Sequence, residues 1–137
     1  AGFANQKIAI SRDDALKLKN LYLTTALKCV PPEDKPKSDE LKTCFNFFRE
    51  EINYLTNINT IVALGKIAFD ACLNFYMQDY ELKRKDFIFQ HGTKYLLPDK
   101  KILIGSYHPS PRNVNTGRID ENKMLKLLKK VKKIMDR

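Results

Sequence analysis

The sequence predicts an α/β fold, a three-layer α/β/α sandwich on a mainly parallel central sheet, with a single domain spanning all 137 residues. Three features point there. Short apolar runs stopped by proline or glycine alternate with longer stretches whose apolar residues recur at helical spacing, the order that builds strand–helix–strand units. A chain of this length, 43% hydrophobic and 30% charged, can close one core without disulfides. Proline-containing polar segments follow the first and last apolar runs, where the carboxyl ends of parallel strands form the ligand rim of such folds.

The elements come in order along the chain. Leu21 to Leu27 (LYLTTAL) is short, apolar and rich in aromatic and Thr positions, and Pro31-Pro32 stops it, so it is predicted to be a buried strand. Ser38 then precedes Asp39, Glu40 and Leu41, an N-cap with an acidic first turn, and Leu41, Phe45, Phe48, Ile52 and Leu55 lie on one helical face. Thr60 to Leu64 (TIVAL) is a second buried strand ending at Gly65, and Ile67, Phe69, Ala71, Cys72 and Phe75 come next with helical spacing. Tyr95 to Leu97, a Pro98-Asp99 turn and Ile102 to Ser106 give a further extended pair. His91-Gly92 reads as a connecting turn, and Asp13-Asp14 as a solvated helix start. In the last helix Met124, Leu127, Leu128 and Val131 dock, while Lys126, Lys129, Lys130, Lys132 and Lys133 lie mostly opposite.

Several classes fall away. The longest uncharged stretch, Ile52 to Gly65, contains Asn and Thr and falls short of the roughly 18 apolar residues of a spanning helix, so no membrane partner is expected. AGFANQKIAISRDD has no basic region leading into an apolar run, so no secretory signal is read there. Three cysteines, an odd count, argue against a disulfide framework, and the expected compartment is the cytoplasm. ALGKIAF has one glycine and no phosphate-binding loop. A net charge of +9, with seven basic residues between Lys123 and Arg137, raises the local concentration of polyanions without naming one. Lys-rich helix faces are more often solvated than bound.

Ser106 to Arg118 is the most informative segment. It gathers a histidine, short hydrogen-bonding side chains, two prolines, a glycine and two arginines in one loop at the rim. A lone loop histidine is more often structural than functional. Cys29 in KCVPP and Cys44 in TCFNFF are too few for a metal site on their own, and Cys72 on the apolar face of its helix reads as a packed small hydrophobe.

HPSPRNVNTGRI resembles the His-Pro-Ser motif, with its Asn and Thr-Gly-Arg continuation, of the uracil-DNA glycosylase superfamily, especially the branch called family 5. LTTALKCVPPEDKP is similar to that family's strand and cluster loop, IVALGKIAFDA to its next strand and helix, and AGFANQ with SRDD to its upstream linker, in order from about Gly2 to Leu128. The resemblance implies a uracil-DNA glycosylase-like fold and hydrolysis of the N-glycosidic bond of uracil, and of other deaminated bases, in DNA base-excision repair by a monomer. Cleavage leaves an anionic pyrimidine, and by resemblance His108 is the donor at its oxygen. Such an enzyme flips the base out and grips the flanking phosphates, for which Ser110, Asn113, Thr116, Gly117 and Arg118, with Arg112 beside them, are suited.

By the same resemblance, Cys29 and Cys44 match the last two ligands of a [4Fe-4S] cluster that takes four thiolates. Thr25 stands where family 4 carries an Asn that reads the uracil edge, offering one hydroxyl where an amide has donor and acceptor. The family's Gly-rich first motif would precede Ala1, so the chain is expected to be the C-terminal two-thirds of one domain, lacking the first strand. The rival reading is a catalytically dead nucleic-acid-binding remnant of the same fold, and a small-molecule nucleoside enzyme is a third.

Overall fold

The computed structural model describes residues 1–28 and 37–136. In order come α1 (Ser38–Tyr54), β1 (Thr60–Leu64), α2 (Lys66–Asp79), a 3-10 turn at Arg84–Asp86, β2 (Lys94–Leu96), β3 (Ile102–Ser106), α3 (Pro111–Asn115) and α4 (Glu121–Met135). The strands form one sheet in the order β1-β3-β2. β1 pairs with β3 in parallel, Thr60 against Ile102 through Leu64 against Ser106, and β2 pairs antiparallel, Lys94 against Ile104.

β3 lies in the middle, and its alternation sets the layers. Leu103 faces the cluster of Phe48 and Ile52 from α1 and Phe69, Cys72, Leu73 and Tyr76 from α2. Ile104 faces the other way, to Phe3 and to Leu127 and Val131 of α4. The predicted three-layer α/β/α arrangement is therefore present, on a mixed rather than mainly parallel sheet. The Pro98-Asp99 turn returns the chain as a hairpin, which makes β2 antiparallel. Tyr76 is buried with its hydroxyl 2.8 Å from Asp99, so this polar tip is satisfied inside the core.

Two local expectations are corrected. Ser38 is the first helical residue, and the N-cap is Lys37, whose N–H donates to the Glu40 carboxylate at 2.7 Å, so Glu40 reaches back to satisfy the donor just outside the helix. Leu21 to Leu27 is not a buried strand. It runs as irregular chain with Leu21, Tyr22 and Leu23 exposed, the last at 70%. Its side chains decide this: Tyr22 and Thr24 donate to the Glu51 carboxylate on α1, both at 2.6 Å, and Lys28 joins them. The segment is thus fastened to a helix by side chains instead of to a strand by its backbone.

The N-terminal residues fold back on themselves through an isolated Ala4–Leu18 bridge, with the Asn5 amide bonded to Ala15 and Lys17, and Phe3 plugs them into the α4 layer. The lysines of α4 are exposed and its apolar stripe is docked, as its periodicity predicts. No helix among the described residues is long and apolar enough to cross a membrane.

Because Leu103 is wholly buried between layers, Leu103→Ala should cost about 2–5 kcal/mol. Leu96→Ala, at a position 72% exposed, should cost less than about 0.5 kcal/mol. Urea unfolding of the two variants measures the contrast.

Candidate functional site

Parallel pairing brings the carboxyl ends of β1 and β3 level, and the site is built where they stop. Gly65 extends the ladder by donating its N–H to the Ser106 carbonyl at 2.7 Å, then caps α2. Its φ is +98°, and a Cβ there would stand 3.3 Å from the Cβ of His108. A side chain at 65 would meet both strained backbone and the histidine, so glycine is required for the two strand ends to close up.

The chain after β3 is organised from within. Ser110 caps α3, its hydroxyl accepting from the Asn113 N–H at 3.4 Å, and Pro111 takes the first helical position. The Asn113 amide donates to the His108 carbonyl at 2.8 Å. Thr116 donates to the Arg112 carbonyl at 2.9 Å, and Gly117, at φ +69°, ends the turn and accepts from Lys123 at 2.7 Å. Ile119, buried, anchors the far end. The structure therefore gathers Ser110, Asn113, Thr116 and Gly117 into one self-bonded turn that holds His108 at its head. The His108 ring is exposed and has no hydrogen-bond partner among the described residues. Arg118 is exposed, makes no ion pair among the described residues, and lies over the Tyr107 ring at 5.6 Å.

The Thr25 hydroxyl donates to the Leu27 carbonyl at 2.6 Å, and among the described residues no hydrogen bond joins it to the His108 turn. Cys29 lies outside the described residues. Cys44 is buried on α1, one turn before Phe48. Cys72 is packed in the core, and burial pushes its thiol up to about 12, which disfavours the thiolate that metal binding needs. This chain cannot complete a four-thiolate cluster by itself. It has three cysteines, one of them locked in the core, and the described residues hold no group of three His, Cys, Asp or Glu that could hold a metal ion.

Sequence reasoning misses three participants. In the sequence Gly65 marks only a strand stop. Glu51, the anchor for Tyr22, Thr24 and Lys28, carries no motif. The expected turn at His91 is there, but its ring also stacks on Tyr107 with centroids 5.5 Å apart. The signal available was the hairpin: the antiparallel register of β2 on β3, continued, brings His91 level with Tyr107.

A parallel strand pair whose carboxyl rim carries an exposed histidine on a braced turn and an unpaired arginine is the architecture of a ligand-handling α/β domain. A family model for the Uracil DNA glycosylase superfamily matches residues 1–132, and the chain belongs to that superfamily. The chain is 35% identical to the type-5 uracil-DNA glycosylase of Thermus thermophilus over 98% of its own length, and 33% identical to that of Pyrobaculum aerophilum over 94%. The type-5 uracil-DNA glycosylase of Mycobacterium bovis is 29% identical over 98%. The chain spans 59%, 54% and 49% of the lengths of these three relatives.

Glu51 offers a test of how the Thr25 segment is held. Burial works against its charge, but donation from Lys28, Thr24 and Tyr22 wins and holds its carboxyl down to about 2. The stabilisation is therefore present above the ordinary carboxylate range and is lost as pH falls through about 2. Glu51→Gln should cost about 1–3 kcal/mol at pH 7, and the gap from the parent chain should close as the pH falls from 4.5 toward 2 in urea unfolding.

Proposed function

We propose that the protein is a uracil-DNA glycosylase of the type-5 kind, hydrolysing the N-glycosidic bond of uracil and of other deaminated bases in DNA. The carrying observation is the match to type-5 uracil-DNA glycosylases over 94–98% of the chain, a span that includes the whole His108 turn. In this reading the 137 residues are the C-terminal two-thirds of one domain, acting as a monomer in the cytoplasm.

The roles derive from the rim. His108, with a free ring at the end of the most buried strand, donates to the base oxygen on which charge builds as the glycosidic bond lengthens. Asn113 holds the His108 carbonyl and so limits where the ring can swing. Arg118 supplies a phosphate contact from a side chain that makes no competing ion pair, and the Ser110 hydroxyl, an acceptor within α3, still has its proton to give to a phosphate. Thr116 and Gly117 shape the turn that contacts DNA, and Thr25 borders the base pocket. Cys29 and Cys44 are half the donor set of a [4Fe-4S] cluster, whose other thiolates would come from outside these residues, and no step of the reaction is routed through it. The share of the relatives' length that is matched favours a second reading, in which the turn binds DNA without excising a base.

Single-turnover excision from uracil-containing single- and double-stranded oligonucleotides, corrected for folded fraction, decides between them. His108→Ala should slow excision by about 10²- to 10³-fold with DNA affinity nearly unchanged. An unchanged rate per folded molecule would remove His108 from the chemistry, and DNA binding without any excision would establish the second reading.

Arg118→Gln should lower the dependence of log affinity on log salt by about one unit, the mark of a lost phosphate contact. Exchanging Lys129 and Lys130 for Gln together should change affinity only slightly. Filter binding across a salt series ranks the two surfaces.

A further inference from the structure

We propose that His91 is a positioning residue, whose ring nitrogen Nδ1 holds the Tyr107 backbone and so aims the turn on which His108 stands. The Tyr107 N–H donates to Nδ1 of His91 at 3.3 Å, one peptide before His108. A backbone amide can only donate, so that nitrogen carries a lone pair and, in the neutral ring, the proton sits on Nε2. The Ser106 hydroxyl, completely buried, lies 3.3 Å from the same nitrogen and donates to the Tyr107 carbonyl at 3.0 Å. The His91 nitrogen on the Tyr107 N–H and the Ser106 hydroxyl on its carbonyl thus pin the residue that separates the sheet from His108.

Gly105 makes this approach possible. A Cβ at 105 would stand 2.8 Å from both the Gln90 carbonyl and the Thr93 hydroxyl, so the turn carrying His91 can lie flush on β3 only over a glycine. The ring of His91 then stacks on Tyr107, which also carries the Arg118 guanidinium.

The arrangement needs the neutral imidazole. Protonation would set an N–H against the Tyr107 N–H and release the contact. Burial, and then the positive charges of Lys123 and Lys130 on α4, hold the ring's pKa below its ordinary value. The other charged groups at this corner are Arg118, over Tyr107, and Asp120, 3.6 Å from Lys123.

The inference rests on the glycosylase reading only in its activity arm. In long-range ¹H–¹⁵N spectra at pH 7.5, His91 should show an unprotonated Nδ1 and a protonated Nε2. On acidification the Tyr107 amide signal should move with the midpoint of the His91 ring, and that component should vanish in His91→Asn. An Nδ1-protonated tautomer, or a Tyr107 amide indifferent to the His91 midpoint, would overturn the proposal whether or not the protein excises uracil.

In single-turnover excision, His91→Phe keeps a ring over Tyr107 but has no acceptor, and should be slower by about tenfold, the worth of one net hydrogen bond. His91→Asn, whose Oδ1 can stand where Nδ1 stood, should stay within about threefold. It should also lose the part of the pH–rate profile that tracks His91. DNA affinity should change less than about twofold in both, because neither removes a phosphate contact. A Phe variant as fast as the parent per folded molecule would sink the proposal. A parent chain that excises nothing would instead refute the glycosylase reading and leave the spectra to decide the role of His91.

Discussion

The parallel pairing of β1 with β3 is the constraint on which the rest of the molecule depends. Two parallel neighbours need a crossover, and the chain between them supplies α2, which packs Phe69, Cys72, Leu73 and Tyr76 over one face. The same pairing makes Leu64 level with Ser106, so the residues just beyond the two strand ends must meet. Gly65 and His108 make that contact. β3 is paired on both edges and covered on both faces, and Leu103, Ile104, Gly105 and Ser106 are all buried. The exposed histidine therefore stands two residues beyond the most buried strand of the sheet, where local opening is costly.

From that base the rim separates supporting groups from presented ones. The polar atoms of Ser110, Asn113 and Thr116 are engaged in the turn itself, closing α3 and holding the His108 carbonyl. The His108 ring and the Arg118 guanidinium are left facing solvent. A turn that satisfies its own backbone holds these two presented groups on a support that need not reorganise. Glu51 does similar work for residues 22–28, gathering Tyr22, Thr24 and Lys28 onto α1.

How much is legible in the sequence depends on the range of the interaction. Thr60–Leu64 and Ile102–Ser106 are legible at their true bounds because a short apolar run between breakers carries its own signal. The face of α4 is legible because its period is local. Leu21 to Leu27 misleads because its composition fits a strand, whereas the partner that captures it, Glu51, is more than twenty residues away and reaches it through side chains. The Ser38 cap is off by one residue because Glu40 reaches back to the Lys37 N–H. The His108 segment is legible as a motif, but the hydrogen bonds that brace it are not.

By itself the sequence determined the fold class, the strand ends at the rim, the docked Lys-rich helix and membership of the uracil-DNA glycosylase superfamily, because periodicity and contiguous motifs need no knowledge of distant neighbours. Tertiary structure alone decided that β2 runs antiparallel, that Gly65 abuts His108, that Glu51 gathers Tyr22, Thr24 and Lys28, and that His91 reaches the Tyr107 amide. Each of these is a meeting of residues remote in the chain. Which ones meet depends on how the strands pair and on which glycines permit close approach, and no local pattern records that.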